Sequence, residues 1–441
     1  MSSGWKADIG GLQLKQISQS EVEVLELPFS KSEIHATLME MNGDKAPGPD
    51  GFTVAFWQSC WEFVKEEVLD MFKEFYEQNS FIKSLNNTFL VLANKLKKVI
   101  GKVVSSDQNA FIMGRQILDA SLISNEVLQK MGFGPKWLGW MRSCKSIAKF
   151  SVLVNGVPTD FFSSSRGLRQ GDPLSSYLFV MGMEVVSVLI TRAVEGGFIS
   201  GCSIWRGRGQ AVNISHLLFA DDTVVFCEAK KGYLTHLSWI LFWFEAALGL
   251  KINLDKSEVI PVGEVEEVNE MAVEIGCRVG QLPTVYLGLP NKATSVWDGV
   301  EEKVRRRLAI WKHQYIIPKG GRITLIKSTM ASMPLYQMSL FRMPKLVVRR
   351  KGRVEIRKLA RLNKVLLGKW IWRFACAKEE LWKKVLEAKY GQEDFGWRTR
   401  KANGVFGVGV WKEILKESDW CWENMAFKVG KSNKIRFWTD P

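Results

Sequence analysis

The sequence predicts an α+β protein, on three observations. Two short runs rich in β-branched and aromatic residues, Leu217-Leu218-Phe219 and Thr223-Val224-Val225-Phe226-Cys227, flank Ala220-Asp221-Asp222, which is the pattern of a β-hairpin with a charged tip. The run Phe150-Ser151-Val152-Leu153-Val154 leads into Asn155-Gly156, and Asn-Gly is the strongest short hairpin signal. Elsewhere, long stretches carry apolar residues at three-and-four spacing, the mark of amphipathic helices.

Taken in order, residues 1–30 are polar and poorly patterned, and are expected to form a mobile lead-in. Ser30 to Met41 reads as a short helix, and Lys45–Phe52 as a Pro/Gly turn. Phe56, Trp57, Cys60, Trp61, Val64, Val68, Phe72 and Phe75 fall on one side of a single helix, a stripe that core packing explains. Thr88-Phe89-Leu90-Val91-Leu92 is predicted to be a strand leading into a helix from Ala93. Asp172-Pro173 reads as an N-cap with proline at the first helical position. The helix that follows carries Leu174, Leu178, Phe179, Met181, Val185, Val186, Leu189 and Ile190 in register. The tail from Lys378 is rich in tryptophan without a clear period, which a compact aromatic core would account for.

Composition sets the class. The 441 residues carry a net charge of +15, which fits a polyanionic partner. From Lys303 to Lys369 there are nineteen Lys and Arg against a single acid, Glu355. Trp311, Tyr315, Tyr336 and Phe341 interleave with that charge, so stacking surfaces lie beside phosphate-binding ones. Arg305, Arg306, Arg307, Lys312, Lys319 and Arg322 are its candidate nucleic-acid contacts. The seven cysteines are scattered without a Cys-x-x-Cys pair and the four histidines are dispersed, which argues against structural zinc and for free, buried thiols. No signal peptide is evident and no apolar run was expected to reach the length of a membrane span. A soluble intracellular protein without a membrane partner is therefore expected.

Two segments carry chemistry. Two adjacent carboxylates at a hairpin tip repel one another and are best held by a divalent cation between them, although an isolated Ala-Asp-Asp is more often a solvated turn. Upstream, Ser164-Ser165-Arg166-Gly167-Leu168-Arg169-Gln170-Gly171 forms a basic, glycine-freed loop before a helix, a place for phosphate.

In order and spacing these segments resemble the palm of a reverse transcriptase of the non-LTR (LINE-type) retrotransposon family, in the form common in plant genomes. The likeness extends to Lys45–Phe52, to Gln108-Asn109-Ala110-Phe111 with Gly114-Arg115-Gln116, to Tyr286-Leu287-Gly288 at a primer-grip turn, and to Gly320-Gly321-Arg322. It implies a right-hand fold with a fingers-like segment (31–134), a palm with an antiparallel sheet (135–290), a helical basic thumb (291–375) and a Trp-rich linker (376–441). It implies RNA-directed DNA polymerisation on an RNA template with a DNA primer and dNTPs, in the nucleus or cytoplasm. Asp221 and Asp222 would be ligands of Mg²⁺ or Mn²⁺, Arg166, Arg169, Gln170 and Gly171 would position template and nucleotide, and Lys256 would donate a proton to pyrophosphate.

The resemblance also has gaps. The family's strand that supplies a further metal-binding aspartate should lie where Val127-Leu128-Gln129-Lys130 runs straight into Met131-Gly132-Phe133. Further gaps fall after Leu92, near Pro290 and near Arg350-Lys351-Gly352, the pattern of an internally deleted and C-terminally truncated element. Asp119 is the best substitute carboxylate by sequence; Asp172 reads as a cap and Glu184 lies on an amphipathic helix. Three readings follow: a polymerase by descent that is inactive as written, an active polymerase whose carboxylate comes from elsewhere, and a non-catalytic nucleic-acid-binding remnant.

Overall fold

A computed structural model of the chain describes residues 10–43, 52–79, 86–105, 108, 125–146, 173–204, 211–282, 335–343, 354–377 and 409–424, with parts of 149–163, 285–290 and 380–400 and positions 297, 302 and 306. Two compact units emerge. One comprises Met1–Cys202, Ile214–Val259 and Glu266–Arg278; the other comprises Ser203–Asn213, Ile260–Val265 and Val279–Pro441. The structure is largely helical with small antiparallel strand pairs.

The first unit includes residues 10–30 of the lead-in, whose apolar side chains are packed. Leu12, Leu14, Ile17, Val22 and Leu25 are buried in the main core, and α1 (Gln19–Leu25) opens on a capping box between Ser18 and Glu21. The polar majority of this segment hid five apolar side chains, and each such burial stabilises by about 1.5–3 kcal/mol. Helix α2 (Lys31–Glu40) starts at Ser30, whose hydroxyl accepts from the Glu33 N–H. The expected single aromatic helix is two, α3 (Val54–Ser59) and α4 (Trp61–Gln78), which break at Cys60. Trp61, Phe72 and Phe75 are buried as expected, whereas Phe56 is exposed and stacks on Phe52 instead.

The strand expected at Thr88–Leu92 is part of α5 (Asn86–Lys97). Leu92, Leu96 and Ile100 are buried four residues apart, so the apolar run belongs to a helical face that continues past it. Lys95 lies in that face, donating to the carbonyls of Leu25 at 3.4 Å and Leu27 at 2.6 Å; burial lowers its pKa, against the pull of Glu33. A short α6 (Ile100–Val103) follows.

The join at Lys130–Met131 is closed. Helix α7 (Asn125–Lys130) ends at Gly132, whose φ of +82° only glycine adopts freely. There the Phe133 N–H donates to Leu128 O at 3.1 Å and the Gly132 N–H to Gln129 O at 3.0 Å, a Schellman ending. The lead-in straps it: the Ile17 N–H donates to Met131 O at 3.0 Å, Gln16 to Lys130 O at 3.0 Å, and Lys130 to Gly10 O at 2.6 Å. Helix α8 (Pro135–Ser146) takes its cap from the lead-in as well, because Glu26 Oε1 accepts the Trp137 N–H at 2.8 Å. Gly134 passes so close to that carboxylate that a Cβ would overlap it.

Strands β1 (Lys149–Phe150) and β4 (Phe162–Ser163) pair, as do β2 (Leu153–Val154) and β3 (Val157–Pro158). The second pair flanks Asn155-Gly156, which lie outside the described residues. Helix α9 (Ser175–Glu195) begins at Leu174 rather than at Asp172; Pro173 and Leu174 form the preceding turn, and Asp172 lies outside the described residues. By length and composition α9 is apolar enough to cross a membrane, contrary to expectation, yet two thirds of that stretch is buried within the protein, as in a core helix. After β5 (Cys202–Ile204) and β6 (Val212–Ile214) come β7 (His216–Phe219) and β8 (Asp222–Val225), then α10 (Lys231–Leu248) and α11 (Val268–Ile275). Helix α10 packs on α9 and on α11.

The second unit holds helices Val354–Cys376, Leu381–Tyr390, Gly409–Leu415 and Ser418–Glu423 around Leu367, Phe374, Leu386, Trp411 and Ile414. Trp370, Trp382, Phe374 and Trp411 contact one another ring to ring, so the tryptophans that the structure describes here build a core. Buried Asn363 clips a bend, donating to Met338 O and Phe341 O at 2.7 and 2.9 Å and accepting from the Met343 N–H at 2.8 Å. Val285–Tyr286 pairs antiparallel with Leu289–Pro290; Leu287 and Gly288 lie outside the described residues. All seven cysteines are free, but Cys202 and Cys376 are exposed rather than buried.

Candidate active site

The aspartate pair sits at the tip of the β7–β8 hairpin, as the flanking runs predict. Its register pairs His216 with Val225, Leu217 with Val224, Leu218 with Thr223 and Phe219 with Asp222, leaving Ala220 and Asp221 as the turn. Alternation along β7 buries His216 and Leu218 and leaves their neighbours half-buried. Asp221 and Asp222 are both exposed at the tip. Partial burial, and then the charge of Asp221, raises the Asp222 carboxyl above the usual carboxylate range. The two groups do repel, and a cation between them would relieve that.

The turn is unusual in one respect. Ala220 is fully buried and has a φ of +53°, a left-handed conformation that costs a residue with a Cβ about 1–2 kcal/mol. Its N–H donates to Oε1 of Gln108 at 3.2 Å. Gln108 is itself fully buried, and its backbone bridges Leu218 in a parallel sense on the outer edge of β7. Among the described residues the outer edge of β8 meets no strand.

Behind the hairpin lies a buried polar chain. Ser105 Oγ donates to Glu184 Oε1 at 3.1 Å and lies 3.3 Å from Ser187 Oγ, which is 2.8 Å from His216 Nε2. His216 Nδ1 is in turn 2.9 Å from Ser215 Oγ. Glu184, a rejected candidate for the further carboxylate, thus faces inward to Ser105. Neither this chain nor the contact of Gln108 with the turn was legible in the sequence. The only local sign was Gln108 standing at the head of a segment that resembles the family.

Lys256 ends a 3-10 turn, Leu254–Lys256, with its backbone N–H capped by Asn253 Oδ1 at 3.2 Å. Its side chain is exposed, and among the described residues it makes no ion pair with Asp221 or Asp222. Arg166, Arg169, Gln170, Gly171 and Asp119 lie outside the described residues, as do Arg305, Arg307, Lys312, Lys319 and Arg322. Arg306 is exposed and lies 3.5 Å from Glu302. Two cations of the basic stretch serve the second unit's own fold: Arg342 at 2.7 Å and Lys364 at 3.8 Å flank buried Glu417.

Two hard carboxylates at one tip fit a single divalent cation that keeps some of its waters. Among the described residues no group of three His, Cys, Asp or Glu side chains gathers around a metal position. The described donors are thus the two carboxylates of one turn, and Asp119 and Asp172 lie outside the described residues.

Comparison with known proteins defines the class. A family profile described as reverse transcriptase (RNA-dependent DNA polymerase) matches residues 83–290, which contain the hairpin, Gln108 and the join. An uncharacterised mitochondrial protein of Arabidopsis thaliana is 49% identical over 115 residues, 26% of this chain and 89% of its own length. The chain belongs to the reverse transcriptase family, in the branch carried by non-LTR retrotransposons. An uncharacterised 149 kDa protein of transposon TX1 from Xenopus laevis is 22% identical over 396 residues, 74% of this chain and 29% of that protein. The retrovirus-related Pol polyprotein from a type-2 retrotransposable element of Drosophila melanogaster is 29% identical over 181 residues, 40% of this chain and 15% of its own. The chain thus spans under a third of the length of these transposon relatives. Members of the family generally use divalent metal ions.

Proposed function

We propose that the chain is the polymerase portion of a retrotransposon reverse transcriptase that is catalytically deficient as written. The observation that carries this is the donor count at the hairpin tip: two carboxylates from one turn, and no third among the described residues. Asp221 and Asp222 would hold one Mg²⁺ or Mn²⁺, which when bound would neutralise phosphate charge. Lys256 is the proposed proton donor to pyrophosphate, and Arg166, Arg169, Gln170 and Gly171 the proposed template and nucleotide contacts.

The closure of Lys130 onto Met131 through a helix ending supports the reading that a strand-bearing segment is missing there. The alignment to the Xenopus relative agrees, since its 396 positions exceed the 74% of this chain that it covers; that relative carries residues without counterparts here.

With a primed RNA template, dNTPs and Mg²⁺ or Mn²⁺, the purified chain should extend the primer weakly or not at all. Insertion of a strand bearing an aspartate between Val127 and Met131 should restore extension. Robust synthesis by the unmodified chain, abolished by Asp221→Ala, would refute the deficient reading.

Nucleic-acid binding is the function this reading retains, and the net charge of +15 supports it. Arg305→Glu, Arg306→Glu and Arg307→Glu together should weaken RNA binding and flatten its salt dependence. An unchanged salt slope would remove the stretch Lys303–Lys369 from the binding surface.

A further inference from the structure

We infer that Gln108 is a positioning residue for the aspartate pair: its side-chain oxygen holds the Ala220-Asp221 turn in the left-handed geometry that carries both carboxylates at the tip. This rests on the reading of Asp221 and Asp222 as metal ligands.

The inference follows from what the turn lacks. A two-residue hairpin closes through the residues flanking the turn, here Phe219 and Asp222, so the N–H of the first turn residue points away from the ladder. At most hairpin tips water accepts it. Here Ala220 is fully buried, and a buried N–H without an acceptor is costly. Gln108 Oε1 at 3.2 Å supplies that acceptor. The same bond selects a φ of +53° that an alanine would otherwise avoid.

Gln108 is in turn held from two directions. Its backbone lies along β7 at Leu218. Three residues earlier, Ser105 donates to Glu184 of α9 and is tied through Ser187 to His216, the first residue of β7. Acceptor and hairpin are therefore fixed to one buried frame, and the turn is set relative to helix α9 as well as to its own strands. A short apolar side chain at position 108 would keep the core filled and lose the geometry of the tip.

The test uses the full chain and two readouts: hydrogen exchange of the amides between Leu217 and Asp222, and Mn²⁺ affinity by electron paramagnetic resonance. Gln108→Leu should speed exchange at Ala220 about tenfold, the loss of one ordinary hydrogen bond, and weaken Mn²⁺ binding severalfold. Gln108→Glu, which keeps an acceptor oxygen, should retain the protection. Adding Ala220→Gly to Gln108→Leu should restore Mn²⁺ affinity, because glycine takes a positive φ without help; a role in core filling alone would show no such rescue. Should Gln108→Leu lose the fold, Gln108→Asn, whose shorter side chain cannot reach, is read in the same way. Unchanged exchange and affinity in Gln108→Leu, or a folded double variant without rescue, overturns the inference. Asp221→Ala with unchanged Mn²⁺ affinity would refute the metal reading alone, and the exchange data would still decide the role of Gln108.

Discussion

The hairpin tip and the helical join at Lys130–Met131 lie in the same unit and are built in opposite ways. At the tip, two like charges share one turn, Ala220 holds a disfavoured φ, and both carboxylates face water. At the join, Val127, Leu128, Met131 and Trp137 are fully buried, and the helix ending is satisfied by its own backbone and by the lead-in. Repulsion and backbone strain of the first kind are commonly found at functional sites. At the join the helix ending is capped and its apolar side chains are packed.

The contrast can be broken most forcefully from the join side. Trp137→Ala should cost about 3–5 kcal/mol, seen as a lower urea midpoint for the transition of the first unit. A loss under about 1 kcal/mol would mean that the join is not part of the core. Glu26→Ala removes the side-chain cap of α8 and should cost about 1 kcal/mol by the same measurement; no change would leave the lead-in as mere covering.

On the tip side the signs reverse. Ala220→Gly should raise stability by less than about 1 kcal/mol, relief of the left-handed conformation being offset in part by the greater freedom of glycine when unfolded. A clear loss would mean that the methyl group matters more than the backbone.

The smallest effect concerns charge. Because the Asp222 carboxyl titrates above its ordinary range in the folded chain, its ionisation opposes folding: stability is full below the unfolded pKa and is lost as pH rises through the folded one. Asp222→Asn should therefore raise the Tm slightly near neutral pH in the absence of metal, and leave it unchanged in acid. An equal shift at both pH values would assign the effect to something other than repulsion.

Legibility divides along the same line. The hairpin was readable because alternation in β7 and β8 is local, and so was helix α2 from its Ser30 cap. Thr88–Leu92 was misread because five residues with no polar interruption carry no period; Leu96 and Ile100, beyond the window, decide for a helix. The packing of residues 10–30 was not legible because the segment meets partners more than a hundred positions away, as between Glu26 and Trp137 (111 residues apart). Gln108 could not have been found by chemistry alone, since a buried glutamine shows its purpose only once an N–H without an acceptor lies beside it. Within the basic stretch, Arg342 and Lys364 serve Glu417, a role that charge counting alone does not reveal.

The strap formed by the lead-in also has a consequence in time. Gly10, Gln16, Ile17 and Glu26 are made well before their partners Lys130, Met131 and Trp137. The lead-in must stay open until about a hundred more residues have followed, its apolar side chains exposed meanwhile to other chains. The segment is thus fixed only once residues made much later than itself have arrived.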